Sequence, residues 1–168
     1  KTVIAVISVI AVCGAVFFAF MFFNGLSGIR INPPYKDGQI KIALVGDSVT
    51  YGHSIKNWPK NNYPALLSQA LDAGYCVRSY GVSGSTVQPD GDQPYNKTKA
   101  YTWSHEFETD VLVFMLGSND SKPENWKGAE KFREEYIRLL ETYTQVDYPP
   151  KVLLCTPPTA YFPESVTE

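Results

Sequence analysis

The sequence predicts an α/β domain with a mainly parallel sheet, preceded by one membrane-spanning segment. Two observations carry the fold class. Short apolar runs, each halted close to Gly or Pro, alternate with stretches of helical periodicity, so successive strands are joined by crossovers. These runs are continuous rather than alternating, as strands covered on both faces are. A third observation sets the N-terminus apart: Thr2 to Phe23 carries no charge and is dominated by Val, Ile, Ala and Phe.

That segment has 22 residues. At about 1.5 Å of rise each they reach roughly 33 Å, enough to cross a hydrocarbon core of about 30 Å. A cleaved signal peptide is the alternative, but its apolar region is usually shorter and ends in small residues, whereas this one ends Phe20-Met21-Phe22-Phe23. We therefore read residues 1–23 as an uncleaved anchor. Lys1 precedes it and Arg30, Lys36 and Lys41 follow, so basic residues alone do not orient it. Residues 24–38, with Pro33, Pro34 and several Gly and Asn, read as an exposed linker. The folded domain is expected over residues 39–168.

Within it, Ile40 to Val45 is a short apolar run stopped by Gly46, a buried strand. Tyr63 to Leu71 places Leu66, Leu67, Ala70 and Leu71 on one helical face, with Pro64 suited to the first turn. Tyr75 to Val82 is a second strand and Asp110 to Leu116, stopped by Gly117, a third. Trp126 to Tyr143 is the longest helix, with Phe132, Tyr136, Leu139 and Leu140 along one side. Lys151 to Cys155 is a fourth strand, ended by Pro157 and Pro158.

Composition excludes several functions. Fifteen Lys and Arg against seventeen Asp and Glu leave a net charge of −2, without the basic footprint of a nucleic-acid binder. Neither a G-x-G-x-x-G nor a Gly-Lys-Ser/Thr phosphate loop follows the first strand, so no nucleotide cofactor is expected. Two isolated histidines, His53 and His105, provide no metal site. Three cysteines are too few for a disulfide framework, and Cys76 and Cys155 read as buried small residues.

In parallel sheets, function gathers at the carboxyl ends of the strands. Here those ends carry Gly46-Asp47-Ser48, Gly81-Val82-Ser83-Gly84 and Gly117-Ser118-Asn119-Asp120. A nucleophilic serine needs an exposed hydroxyl, a base, and donors aimed at the oxygen that becomes anionic. Ser48 follows a strand through Gly46 and opens a helical turn, which points backbone N–H groups to one place. Gly84, lacking Cβ, lets substrate approach its N–H. Asn119 offers a side-chain NH₂. Asp47 is expected to hold the loop by accepting backbone hydrogen bonds.

Gly46-Asp47-Ser48-Val49-Thr50, Ser79-Tyr80-Gly81-Val82-Ser83-Gly84-Ser85-Thr86 and Gly117-Ser118-Asn119-Asp120, in this order, resemble the first three blocks of the SGNH/GDSL hydrolases. The resemblance runs from about Lys41 to Pro158. It implies a flavodoxin-like three-layer sandwich, with Ser48 as nucleophile and oxyanion donor and Gly84 and Asn119 as the other donors. Val49 stands where Leu or Ile is common and Ser79 where Asn is common; neither touches the donors. The family's Asp-x-x-His block, which supplies the base, does not occur up to Glu168, so the chain is expected to be the front portion of a longer protein. His53 is too close in sequence to Ser48 to serve instead, and His105 falls in a polar connection before the third strand. The resemblance implies hydrolysis of acetylated carbohydrate or another small acyl ester outside the cytoplasm. An O-acetyltransferase of the same fold and a non-catalytic glycan-binding scaffold are the alternatives.

Overall fold

The computed structural model describes residues 32–158. In chain order the elements are β1 (Ile40–Gly46), α1 (Ser48–Tyr51), α2 (Trp58–Asn61), α3 (Tyr63–Ala70), β2 (Tyr75–Gly81), a 3₁₀ turn (Tyr95–Lys97), α4 (Lys99–Glu106), β3 (Val111–Met115), α5 (Ala129–Thr144) and β4 (Lys151–Leu154). Among the described residues no helix is long and apolar enough to cross a membrane. The anchor expected over Thr2 to Phe23 lies outside them, as does most of the linker.

All three strand pairings are parallel, in the order β2-β1-β3-β4. This is an α/β fold whose strand order fits the flavodoxin-like arrangement. β1 is central, and its alternating side chains bury on both faces. Ala43 and Val45 join Cys76, Tyr80, Leu112 and Phe114 in a core that takes Leu139 and Tyr143 from α5. Ile42 and Leu44 face the other way with Val77, against Tyr63, Leu67 and Leu71. Each such aliphatic side chain contributes about 1.5–3 kcal/mol by leaving water, which is why a run with no polar alternation forms the middle strand. β4 lies at the end of the sheet's order, and its Leu153 and Leu154 are 55% and 58% exposed.

The four strands fall where the apolar runs place them. The helices differ more. The long helix begins at Ala129 rather than Trp126, because Gly128 at φ +98° cannot continue a right-handed turn. The inward stripe of α3 and its cap is Tyr63, Leu67 and Leu71, while Leu66 and Ala70 face outward; the buried face follows the i, i+4 row one position later than Leu66 and Ala70. The connection holding His105 is helix α4, started by Thr98, whose side chain caps Tyr101 N–H. Cys76 is buried as expected, but Cys155 is only partly covered, since it follows the exposed β4.

Candidate active site

The register of the sheet builds the site. Gly46 pairs with Gly81 on one side and with Met115 on the other. Strands lie about 4.8 Å apart, so the loops carrying Ser48, Gly84 and Asn119 leave three neighbouring strands at one level. β1 and β3 are also where the strand order reverses, the place at which chains diverge to opposite faces and open a crevice.

Ser48 is the first residue of α1 and is partly exposed. Asp47 is buried and caps the turn, accepting from Val49 N–H at 2.9 Å. Ser48 C=O accepts from Gly52 and His53 N–H, each at 2.9 Å. The turn then packs directly on the strand ends. A Cβ at Gly81 would lie 2.6 Å from Tyr51 N, and one at Gly46 would overlap the Thr50 side chain, so glycine at both positions lets α1 settle there. Asn62 completes the support by donating to Tyr51 C=O at 3.1 Å.

Gly84 adopts φ +85°, a left-handed backbone suited to glycine. Asn119, only 8% exposed, donates from Nδ2 to Ser85 C=O at 3.1 Å. One of its two amide protons is thus used, which leaves the other for a ligand. Asn119 therefore touches the residue next to Gly84, and these two expected donors are brought together. Asp120, fully buried, accepts from Val87 N–H at 3.0 Å and from Gln88 N–H at 2.9 Å. Burial pushes its carboxyl above the ordinary carboxylate range, and the N–H groups of Val87 and Gln88 oppose that rise. Asn125 extends the contact, donating to Asn119 C=O at 2.9 Å and to Asp92 at 2.9 Å. The hydrogen bond from Asn125, assisted by Lys122, holds the Asp92 carboxyl below its usual range.

Neither Ser48 N–H nor Gly84 N–H donates to another group among the described residues. Five buried side-chain polar atoms there make no hydrogen bond: Asp47 Oδ2, Ser83 Oγ, Ser85 Oγ, Gln88 Oε1 and Ser118 Oγ. All five belong to the loops that follow β1, β2 and β3. Buried polar groups are normally paired, so this concentration at one rim marks a place built for something other than packing.

No histidine reaches this rim through a hydrogen bond to a side chain there. His53 is exposed. His105 bonds Tyr101 C=O at 2.8 Å and Thr142 Oγ1 at 3.1 Å, and stacks on Tyr143 with ring centroids 4.0 Å apart. It sits near the end of α4, before β3 begins, and so towards the amino edge of the sheet. No group of three or more His, Cys, Asp or Glu able to hold a metal occurs among the described residues. Asp120 and Asn125 are the residues that sequence reasoning missed. Their signal was slight: an acid beside Asn119 and an amide in a loop, with nothing to announce burial.

The model of the GDSL-like lipase/acylhydrolase family matches residues 44–168, a span that holds Ser48, Gly84 and Asn119. The chain belongs to this family. Over 148 residues it is 36% identical to an acetylxylan esterase from Xylanibacter ruminicola, a match covering 78% of this chain and 31% of that protein. A carbohydrate acetylesterase family member from Sinorhizobium meliloti superposes with a TM-score of 0.55 at 28% identity, covering 71% of this chain and 63% of the other. The M. Smegmatis aryl esterase superposes with a TM-score of 0.56 at 23% identity over 71% of this chain and 65% of the other, which shows a shared fold. The chain thus spans about a third of the curated relative and less than two thirds of these structures.

Proposed function

We propose that the complete protein is a serine ester hydrolase acting on acetylated carbohydrate. Ser48 Oγ attacks the ester carbonyl and loses its proton to a base. The carbonyl oxygen becomes anionic within reach of Ser48 N–H, Gly84 N–H and the Asn119 amide. Collapse breaks the bond to the alcohol oxygen, which leaves protonated by the same base, and water then releases acetate from acyl-Ser48 by the reverse sequence. The base is assigned to the Asp-x-x-His block that the family resemblance implies. One observation supports this reading: Ser48, Gly84 and Asn119 follow three neighbouring strand ends in register, and among the described residues the Ser48 and Gly84 N–H groups have no acceptor.

The acetylated-sugar substrate is supported by the acetylxylan esterase and carbohydrate acetylesterase likenesses. Trp126 adds a local reason. It stands on the loop after β3, 45% exposed, with its ring 6.0 Å from that of Phe132, and offers an apolar face of the kind on which a pyranose ring stacks. Acetate release from acetylated xylo-oligosaccharides tests the proposal, together with mass detection of an organophosphonate adduct on Ser48. Release of acetate to water and a Ser48 adduct are expected. Transfer of acetyl to a sugar hydroxyl would replace hydrolase with O-acetyltransferase, and no turnover of either kind would favour a binding scaffold. Residues 2–23 are proposed to hold this domain at a membrane, outside the cytoplasm. Deleting residues 1–26 should release it from the membrane fraction, and an unchanged distribution would overturn the anchor.

A further inference from the structure

The post-β2 loop that carries Gly84 has little secondary structure of its own. Between Gly81 and the turn at Tyr95 it contains no strand or helix, only an isolated bridge from Thr86 to Pro94. Its backbone is fixed instead by side chains of the next loop along. Asn119 takes Ser85 C=O, Asp120 takes Val87 and Gln88 N–H, and Asn125 takes Asp92 N–H through Oδ1 at 2.9 Å. Gln88 Nε2 reciprocates by donating to Asn125 C=O at 2.9 Å. Of these groups Asp120 alone is a charged side chain with no exposure, and both its oxygens lie 3.0 Å from Val87 N.

We infer that Asp120 is a positioning residue for the oxyanion hole, its carboxylate fixing the Gly84 loop at the distance from Asn119 that lets both donors reach one oxygen. This rests on the oxyanion reading proposed above. The physical case is one of cost. A buried carboxylate is expensive to keep ionised, and a merely structural link between two loops needs no charge. Charged acceptors, however, form shorter and stiffer bonds to backbone N–H than neutral ones. Oxyanion donors must be stiff, since a misplacement of about 1 Å can cost 10²-fold in rate. Asp120 immediately follows Asn119, so one short stretch of backbone places the third donor and anchors the second.

The test is Asp120→Asn in the complete protein, assayed with 4-nitrophenyl acetate beside Asn119→Ala and Leu139→Ala. With Oδ1 kept on Val87 and Gln88 N–H, the Asn side chain must turn its NH₂ towards Val87 N–H, which now meets carboxylate oxygen on both sides. A fall in kcat of about 10- to 10²-fold, with KM within about threefold, is expected. Leu139→Ala, which opens a cavity under α5 away from the rim, controls for lost stability and should keep wild-type kcat. Asp120→Ser, which retains one acceptor oxygen and admits water, reads the same quantity should Asp120→Asn not fold. If the Asp120 variants, folded at the assay temperature, turn over as fast as Leu139→Ala, the positioning role is overturned while the oxyanion hole stands. If Asn119→Ala itself keeps wild-type kcat, the oxyanion reading fails and this inference falls with it.

Discussion

The turn that carries Ser48 is closed by bonds between residues two to five apart within Asp47 to His53, with Asn62 and Ser79 donating to its Tyr51 and Thr50 C=O from outside. The loops that carry Gly84 and Asn119 are tied to each other by bonds between residues 34, 33 and 32 apart in sequence. Both deliver donors to one rim, by opposite means. The first region depends on local geometry: a cap, a short helical turn, and glycines that let the turn sit on the strand ends. The second depends on a buried polar network, which is costly when any member is removed because its partners stay buried and unpaired. The Ser48 turn should therefore tolerate changes elsewhere in the protein better, Asn62 and Ser79 excepted, whereas the loops of Gly84 and Asn119 should respond to changes at Asp120 and Asn125, residues that need not touch substrate.

The largest effect that sharpens this contrast is on chemistry alone. Ser48→Ala in the complete protein should abolish acyl-enzyme formation and adduct capture by an organophosphonate, with little change in melting temperature, since the Ser48 hydroxyl makes no hydrogen bond to the described residues. A large loss of stability would show that the turn needs its hydroxyl. Next comes Asn119→Ala, for which loss of one oxyanion donor typically costs about 10²- to 10³-fold in kcat, roughly 2.7 to 4 kcal/mol. Unlike Ser48→Ala it should also lower the melting temperature, because Ser85 C=O loses its partner. An unchanged melting temperature would break the claim that this side chain ties the loops together.

Gly84→Ala should act at an intermediate level. At φ +85° an L-residue is strained, by roughly 1 to 3 kcal/mol, and the new Cβ would lie 2.9 Å from Gln93 Oε1, the flexible end of a side chain that can shift. The loop can relieve this strain only against its ties to Asn119 and Asp120, so both stability and kcat should fall. Gly84→Ala combined with Asn119→Ala should cost less than the product of the two, because the ties are already loosened. Strict multiplicativity in a double-mutant cycle would show the two donors to be independent.

This contrast also explains what the sequence disclosed. The strands were legible because burial on both faces demands continuous apolar runs, as at Ile42 to Val45. The positions of Ser48, Gly84 and Asn119 at strand ends followed from those runs and the glycines that stop them. Helix α4 was hidden because its residues, Lys99 to Glu106, present few aliphatic side chains, and its inward aromatic Tyr101 gives little periodic signal. Leu66 misled because an apolar residue beside Leu67 reads as part of the same stripe, yet only tertiary packing decides which row turns in. Asp120 and Asn125 were illegible for a deeper reason. Their partners are backbone groups, which every sequence contains, at separations that only the folded chain reveals.

The smallest effect we predict reads the charge on Asp120 directly. Burial raises its carboxyl pKa above the ordinary value of 3.8, so the folded protein holds that proton more tightly than the unfolded chain does. Between the unfolded and folded values, unfolding releases a proton, and stability must fall as pH rises through that window. Asp92 behaves in the opposite sense: its lowered pKa gives a contribution present above the unfolded value and lost as pH falls, and solvent screening keeps it small. Subtracting the unfolding free energy of Asp120→Asn from that of the wild type at each pH cancels the Asp92 contribution and leaves that of Asp120. The difference should move against the wild type as pH is raised from about 4 through the ordinary carboxylate range, then level off once Asp120 is ionised. A difference that moves the other way would mean that the Val87 and Gln88 N–H groups outweigh burial, making the ionised clamp a source of stability as well as of position.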